Sequence, residues 1–322
     1  MSAVGYGAMG LSEFYGPSND EDSLRILHEV VECGVTMIDT ADVYGRGHNE
    51  TLIGKFLASH RPDVVAGRVQ ISTKCGIDRP ADASYARRIN NHPQYIRACC
   101  EASMRRLGVE RIDLYYIHRA DPAVDIAETM GCLADLVAQG KLAHVGLSEV
   151  SAATLRRACQ VHPVTALQTE YSLWTRDVEH EILPTARALG VGFVAYSPLG
   201  RGMLTGRITS TETLAEGDFR RSNPRFAGDN LAHNLGLVKT VQVVAARHAA
   251  TLGQVALAWL LSRDDKLVPI PGTRRSSYLH ENLAAIDLKL TADDLAELDR
   301  AMPASEVRGA RYTPEGMKGI GA

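Results

Sequence analysis

The feature that most constrains the fold is a regular alternation of short apolar segments with longer amphipathic ones along a chain of 322 residues. The apolar segments predict strands, and the segments between them carry apolar residues at helical spacing. Eight such pairs follow one another with no linker and no change in composition. This order predicts an α/β fold, a single-domain (β/α)8 barrel over residues 1–322, with an open doubly wound sheet as the alternative.

The predicted elements follow from these patterns and from Gly and Pro signals at their ends. The strands are predicted at 3–6, 35–39, 69–74, 112–118, 143–147, 166–169, 191–196 and 267–270. The helices are predicted at 20–33, 51–59, 93–107, 125–139, 152–159, 179–189, 235–248, 253–261 and 276–285. A long loop is expected at 197–233, and an extra C-terminal helix at 292–301 has the pattern of an appendage.

Composition excludes several classes of function. The chain is 45% apolar and 23% charged, as is usual for soluble globular proteins, and its net charge of −3 favours neither a nucleic-acid nor a membrane-surface partner. No apolar run approaches the roughly 18 residues of a membrane span, and no signal peptide is evident. Six scattered Cys without a C-x-x-C pair indicate a reducing cytoplasm and no metal site. The oligomeric state is not specified.

Polar residues occur where one predicted strand after another ends. In a barrel, these carboxyl ends form the face that carries active sites. Any single residue there is also compatible with a capping or solvated role, but the repetition favours a functional rim. The strand-end residues are Asp39, Lys74, His118, Ser148, Gln168, Tyr196, Ser197 and the segment 271–275.

One group at this rim predicts acid–base chemistry. Tyr44 follows the strand-end Asp39 and stands before Gly45, which places it on a loop above the strand. A nearby Lys74 would lower the phenol pKa, and His118 would orient a substrate oxygen or relay a proton. Together these residues predict a proton donor for carbonyl–alcohol interconversion, whereas a helix-capping Asp and a packing Tyr remain the structural alternative.

Carbonyl reduction needs a hydride source, and barrels usually hold phosphate at the loops after strands seven and eight. The segment Y-S-P-L-G-R-G at 196–202 supplies an aromatic face, a hydroxyl and backbone amides. The turn at 270–275 supplies Arg274 and Arg275. Because Arg binds phosphate as a bidentate donor, this pair favours NADPH over NADH, with solvated surface charges as the alternative.

The segment G-Y-G-A-M-G at 5–10 matches the dinucleotide-binding pattern G-x-G-x-x-G. That pattern requires a full strand before it and a helix after it. Few residues precede Gly5, and Gly16 and Pro17 stop a helix soon after it. We therefore predict glycines at the end of the first strand with close backbone packing, and not a Rossmann site.

Several motifs in order resemble those of the aldo-keto reductases over essentially the whole chain. They are G-A-M-G at 7–10, I-D-T-A-D-V-Y-G at 38–45, S-T-K at 72–74, D-L-Y-Y-I-H-R at 113–119, G-L-S-E at 146–149, L-Q-T-E-Y-S at 167–172, A-Y-S-P-L-G-R-G at 195–202 and P-G-T-R-R at 271–275 with E-N at 281–282. The H-R and G-T-R-R patterns are more similar to the bacterial, plant and channel-associated branches than to the aldose reductase type.

The resemblance implies an NADPH-dependent reductase of aldehydes or ketones, without a Rossmann domain. It implies a catalytic tetrad of Asp39, Tyr44, Lys74 and His118, with Tyr44 as general acid, Lys74 and Asp39 as its tuning pair, and His118 orienting the carbonyl. It also implies contacts to each part of the cofactor: Ser148 and Gln168 at the carboxamide; Tyr196 on the nicotinamide; Ser197, Leu199 and Arg201 at the pyrophosphate; Gly272, Thr273 and Arg274 at the 2′-phosphate and adenosine; and Glu281 and Asn282 near the adenine.

The chain departs from this family pattern in places. Glu149 stands where many members carry an Asn that binds the carboxamide, Tyr278 stands where many carry a basic residue, and Gly272 replaces a common Lys. The short hairpin that usually precedes the first strand is not evident, which is expected to expose apolar surface and lower stability. The alternative function is an NADPH-binding regulatory or sensor subunit with slow turnover.

The substrate is not specified by these patterns. Its pocket is expected to be lined by Phe14, Tyr15, Tyr85 and the segment 219–226, and the long loop is a candidate lid over the cofactor. Arg87, Arg88 and Arg119 either bind an anionic substrate or are solvated.

Overall fold

A computed structural model describes residues 1–59, 69–79 and 88–322. Its main sheet has eight parallel strands that pair in the order of the sequence. They are β1 (Tyr6–Gly7), β2 (Met37–Asp39), β3 (Gln70–Cys75), β4 (Ile112–Ile117), β5 (Leu142–Ser148), β6 (Ala166–Glu170), β7 (Gly192–Tyr196) and β8 (Leu267–Pro269). A small antiparallel pair, Ile77–Asp78 with Arg88–Ile89, follows β3.

Backbone hydrogen bonds join the first strand to the last. The Gly5 N–H donates to the Pro269 carbonyl at 2.9 Å, and the Gly7 N–H donates to the Pro271 carbonyl at 3.4 Å. The eight strands therefore close on themselves, which confirms the single-domain (β/α)8 barrel.

The close approach at this seam requires glycine. A Cβ on Gly7 would lie 2.8 Å from the Ile270 carbonyl oxygen, and one on Gly272 would lie 2.4 Å from the Gly7 oxygen. Any side chain there would push β1 and β8 apart. Within residues 1–59, the turn Met9–Leu11 follows β1 and no α-helix begins before Asp20, so the G-x-G-x-x-G match is not a Rossmann site.

Helices cover the outside of the barrel. They are α1 (Asp20–Glu32), α2 (His48–Ser59), α3 (Pro93–Leu107), α4 (Ile126–Ala138), α5 (Ala152–Val161), α6 (Ile182–Ala188), α7 (Gly228–Arg247), α8 (Leu252–Leu261), α9 (Ser276–Ala284), α10 (Ala292–Ala301) and the single turn α11 (Pro314–Met317). The predicted bounds of α3 and α10 are confirmed at both ends.

Local signals explain where these helices begin and end. The Asn19 side chain caps α1 by accepting from the Asp22 N–H at 2.7 Å, and three acidic residues follow in the first turn. α3 has Pro93 at its first turn and ends at Gly108, whose φ of 69° is a left-handed conformation that glycine adopts without strain.

The predicted loop at 197–233 is wrong at its C-terminal end. α7 begins at Gly228, and the segment before it contains the short turns Gly200–Thr205, Phe219–Ser222 and Pro224–Phe226. Within the predicted loop, the buried Asn223 side chain donates to the carbonyl of Arg311 at 3.0 Å. Polar residues that indicate a loop in the sequence are thus satisfied by distant backbone in the fold.

α10 is not an appendage. Its Leu298 is fully buried, as is Met302 just after it. The Asp294 carboxylate bonds His248 Nε2 at 2.8 Å, and Trp259 Nε1 donates to Asp299 at 3.0 Å. These contacts fasten α10 onto the outer surface made by α7 and α8.

The strands have two hydrophobic faces. The larger cluster lies between the barrel and its helices, and a smaller one fills the barrel interior around Met37, Tyr116, Val194 and Val268. All six Cys are free thiols. Among the described helices, none alone is long and apolar enough to cross a bilayer; α7 and α8 meet that criterion only together, and they are bent by 89° at their junction.

Candidate active site

The alternation of side chains along each strand selects which residues reach the barrel mouth. Met37 and Tyr116 point into the interior, so residues two positions later on the same strands point the same way. This places Asp39 and His118 at the carboxyl end of the interior. The same periodicity places Gln168 above Ala166 and Tyr196 above Val194.

Lys74 and Asp39 form a buried ion pair at the mouth. The Lys74 Nζ lies 2.5 Å from Asp39 Oδ1, and their side chains are 0% and 4% exposed. Ser72 Oγ and Gln168 Nε2 each donate to Asp39 Oδ2 at 2.8 Å. The carboxylate is therefore fully engaged, and it holds the ammonium group in one position.

Tyr44 and His118 lie above this pair. The Lys74 Nζ donates to the Tyr44 hydroxyl oxygen at 3.4 Å. The ring of His118 meets the ring of Tyr44 edge-on, with 5.8 Å between centroids. Tyr44 begins a tight turn in which Gly45 and Arg46 have φ of 55° and 54°, and this turn points the phenol back over β2. The structure thus brings together all four predicted catalytic residues.

The pKa shifts at this cluster differ from the sequence-based expectation. Burial, followed by the Asp39 carboxylate, raises the pKa of Tyr44 well above 10, whereas we expected Lys74 to lower it. Burial lowers the pKa of Lys74, and Asp39 opposes that shift. Tyr44 is consequently a protonated phenol at neutral pH. It can donate a proton, and it can act as a base only after it has done so.

A cavity of about 990 Å³ runs from this cluster to the loop after β8. Its volume is at the upper end of the range found for ligand pockets. It brings together most residues predicted to bind or transform a ligand. These are Asp39, Tyr44, His118, Ser148, Gln168, Tyr196, Ser197, Leu199, Arg201, Gly272, Thr273, Arg274 and Asn282. Lys74 lies behind Asp39, and Glu281 lies outside the lining, where it pairs with Arg207 at 2.6 Å.

The far end of the cavity is rich in guanidinium groups. Arg274 reaches across the seam between β8 and β1 and donates to the carbonyls of Tyr15, Gly16 and Pro17 in the loop after β1. Arg275 and Arg207 flank the ring of Tyr278 at 5.3 Å and 4.0 Å. Thus Tyr278 stands where many family members carry a basic residue, and two guanidinium groups lie against its ring.

Arg201, predicted at the pyrophosphate, has another partner. It forms a buried bidentate pair with Glu170, and its guanidinium lies 4.6 Å from the centre of the Tyr312 ring. The sequence analysis did not single out Glu170 or Tyr312 as partners of Arg201. Its donors are therefore largely occupied by the protein itself, although the residue still lines the cavity.

Glu149 turns away from the cavity. Its φ of 56° is left-handed, and its carboxylate accepts from the Glu170 N–H at 3.0 Å and from the Tyr196 hydroxyl at 2.6 Å. Arg311 also pairs with it at 3.2 Å. Sequence reasoning missed Arg311, because it lies 162 positions away along the chain.

The segment Phe219–Ser222 lines the cavity and contacts the loop after β1. Phe219 packs edge-on against Phe14 and Tyr15, with ring centroids 5.8 Å and 5.3 Å apart. These three residues line the cavity as predicted, but Phe226 is fully buried beside Trp174. Arg88 is exposed and Arg119 is buried at the cavity, while Tyr85 and Arg87 lie outside the described residues.

The donors in the cavity fit a dinucleotide. Hydroxyls and an amide line one wall (Ser148, Gln168, Ser197), and basic groups cluster at the other end beside Thr273 and Asn282. The Nε of Arg119 is buried and has no acceptor within the described part of the chain. An elongated anionic ligand with polar groups at its opposite end matches this distribution.

Comparison with known proteins agrees with the geometry. The model of the aldo/keto reductase family matches residues 3–303. A probable aldo-keto reductase 1 from Glycine max is 43% identical over 97% of this chain and 88% of its own length. Among solved structures, a glycerol dehydrogenase from Gluconobacter oxydans is 27% identical with a TM-score of 0.85, covering 97% of this chain and 94% of its own.

A thermostable aldo-keto reductase solved with the inhibitor epalrestat is 29% identical with a TM-score of 0.73, covering 94% of this chain and 95% of its own. The family match extends over every strand of the barrel and all four residues that converge at its mouth. The chain belongs to the aldo/keto reductase family and is an oxidoreductase that acts on carbonyl compounds.

Proposed function

We propose that this protein is an NADPH-dependent reductase that converts aldehydes or ketones to alcohols with Tyr44 as general acid. The observation that carries the proposal is the convergence of Tyr44, Lys74, Asp39 and His118 at one end of a cavity whose other end is basic. We place it in the cytoplasm, and the six free thiols support a reducing compartment.

The proton is supplied by Tyr44. When bound, reduced nicotinamide supplies the hydride. Because burial raises the pKa of Tyr44, the phenol stays protonated until a carbonyl oxygen accepts its proton. The Lys74 ammonium, 3.4 Å from the phenol oxygen, then stabilises the phenolate, while Asp39 keeps that ammonium oriented.

His118 orients the carbonyl. Its ring meets that of Tyr44 edge-on at an interplanar angle of 85°, and both residues line the cavity. A carbonyl oxygen between them accepts one hydrogen bond from each, which fixes its direction relative to the cofactor. Both residues are mostly buried, so few waters compete for that oxygen.

The cofactor preference rests on the basic end of the cavity. Arg207, Arg274 and Arg275 converge there, and Glu281 balances only Arg207. The remaining excess of positive charge favours the extra phosphate of NADPH over NADH. Tyr196, which lines the opposite end, offers its ring as a stacking surface for the nicotinamide.

The test is oxidation of NADPH by the purified protein with 4-nitrobenzaldehyde, followed by absorbance, with NADH as second cofactor. Tyr44→Phe is expected to lower kcat by about 10²–10⁴-fold with an unchanged Kd for NADPH. Tyr115→Phe, which removes a buried hydroxyl outside the cavity lining, is the matched control.

Other outcomes separate the alternatives. Tight NADPH binding with negligible wild-type turnover would favour a slow regulatory subunit. Absence of NADPH binding would overturn both proposals.

A further inference from the structure

Arg119 is a buried cation that forms no direct ion pair with any carboxylate in the described part of the chain, although the nearby Tyr196 and Glu149 side chains outweigh burial and raise its pKa. It follows His118 at the carboxyl end of β4 and is only 4% exposed. One terminal nitrogen, Nη1, donates to the His118 carbonyl at 2.9 Å and to Ser148 Oγ at 3.4 Å. Its Nε finds no acceptor in the described part of the chain.

This arrangement differs from that of the other buried guanidiniums beside the cavity. Arg201 pairs with Glu170, and Arg311 pairs with Glu149. A buried charge with an unused donor is costly unless a ligand supplies the missing acceptor. Since Arg119 lines the cavity beside Ser148, the acceptor is expected from the cavity side.

The place beside Ser148 lacks the amide that the family pattern expects. Glu149 occupies that position, but its carboxylate is engaged by the Glu170 N–H and the Tyr196 hydroxyl. It does not line the cavity. The carboxamide end of a bound nicotinamide would therefore lack one donor unless a neighbouring residue supplies it.

We propose that Arg119 binds the carboxamide oxygen of the nicotinamide, in place of the amide side chain absent at position 149. This inference rests on the proposed NADPH function. A guanidinium directs its N–H groups in one plane and suits a planar carbonyl oxygen. Through this bond, Arg119 is a positioning residue that holds the nicotinamide ring between Tyr196 and the carbonyl site.

The second source of such an oxygen is the carboxylate of an anionic substrate. The position of Arg119 beside Ser148 favours the cofactor, because Ser148 stands at the predicted carboxamide contact. Both sources share one chemistry, a planar oxygen acceptor, so the experiment must vary the cofactor and the substrate separately.

The experiment measures Kd for NADPH and for 2′-phospho-ADP-ribose, which lacks the nicotinamide, by titration calorimetry. Arg119→Met is expected to weaken NADPH binding by about 10- to 100-fold and 2′-phospho-ADP-ribose binding by less than about twofold. Arg119→Lys, which keeps the charge and loses the planar fork, is expected to fall between. Arg88→Met, at an exposed site outside the cavity, is the control.

A cofactor analogue with a thioamide completes a double-mutant cycle. Replacing the carboxamide oxygen by sulfur is expected to weaken binding to the wild type more than to Arg119→Met, since the variant no longer contacts that atom. Equal losses for NADPH and 2′-phospho-ADP-ribose would overturn the proposal. So would an unchanged NADPH Kd with a raised KM for 4-carboxybenzaldehyde alone, which would assign Arg119 to the substrate.

The experiment distinguishes a failure of the proposed NADPH-dependent function from a failure of the Arg119 assignment. If the wild type binds neither probe, NADPH use is wrong and the assignment of Arg119 falls with it. If the wild type binds NADPH and Arg119→Met binds it equally well, only the assignment of Arg119 is overturned.

Discussion

Glu170 and Arg201 form a bidentate ion pair inside the protein. The two N–O distances are 3.0 Å and 2.6 Å, and the side chains are 0% and 1% exposed. Burial alone would raise the pKa of Glu170, but Arg201 and then Arg225 reverse this and hold it below its usual value. The pair ties β6 to the turn Gly200–Thr205 that follows β7.

We expect Glu170→Gln to destabilise the protein by about 3–5 kcal/mol, because Arg201 and Arg225 would keep their buried charges without a carboxylate. The midpoint of urea unfolding measures this change. Because the folded-state pKa of Glu170 is lowered, the pH-dependent part of this advantage should be complete above the unfolded carboxyl pKa and be lost progressively as pH falls from there through the folded-state pKa.

The matched control is Asp125→Asn, which breaks the ion pair of Asp125 with Arg157 on the surface, where the side chains are 57% and 58% exposed. We expect a loss of less than about 1 kcal/mol from this variant. Equal losses from the buried and the exposed substitutions would show that burial does not set the strength of the Glu170–Arg201 pair.

Arg311 fastens the C-terminal segment over the site. Its guanidinium pairs with Glu149, and the Gly321 N–H donates to the Glu149 carbonyl at 2.7 Å. We expect Arg311→Met to loosen this segment, to speed tryptic cleavage after Lys318 and to raise KM for the carbonyl substrate. Arg308→Met is the control, since that side chain is exposed. Unchanged cleavage would contradict the tether.

Phe219 holds the cavity-lining segment Phe219–Ser222 against the loop after β1. Its edge-on contacts with Phe14 and Tyr15 are each worth about 0.5–1.5 kcal/mol. We expect Phe219→Ala to speed NADPH release by about tenfold, measured by stopped-flow fluorescence. Phe219→Leu keeps apolar bulk without a ring and should give a smaller increase. A release rate insensitive to both substitutions would mean that this segment does not limit release.

Asp42 is a partly buried carboxyl that introduces pH dependence. Burial, then the neighbouring Glu50, raises its pKa to about 8, and its Oδ1 has no hydrogen-bond partner among the described residues. Between pH 4 and 8, the unfolded chain loses this proton while the folded protein keeps it. This group therefore lowers the free energy of unfolding as pH rises, by up to about 1.4 kcal/mol per pH unit.

Asp42→Asn removes the titration with little change in shape. We expect its stability relative to the wild type to increase from about pH 5 to pH 8 and to level off above. Urea unfolding at a series of pH values measures the difference. A difference that stays constant over this range would place the pKa of Asp42 near its ordinary value.

The barrel and its mouth were predictable from the sequence because they depend on local periodicity. Alternation along a strand decides which side chains face inward, and the end of each apolar run marks the rim. Asp39, His118 and Gln168 were located in this way, and the structure places them there. Pro93 and Gly108 likewise marked the ends of α3 without reference to any contact.

Tertiary structure alone decided which partner each charged side chain has. Arg201 and Arg274 were predicted to contact phosphate groups, which Arg commonly binds. In the fold, Arg201 pairs with Glu170, and Arg274 donates to the carbonyls of Tyr15, Gly16 and Pro17. Glu149 faces Arg311 from the far end of the chain. Periodicity specifies the direction of a side chain from its own element. The charged partner of that side chain belongs to another element, and the distance between the two charges follows only from how the barrel closes.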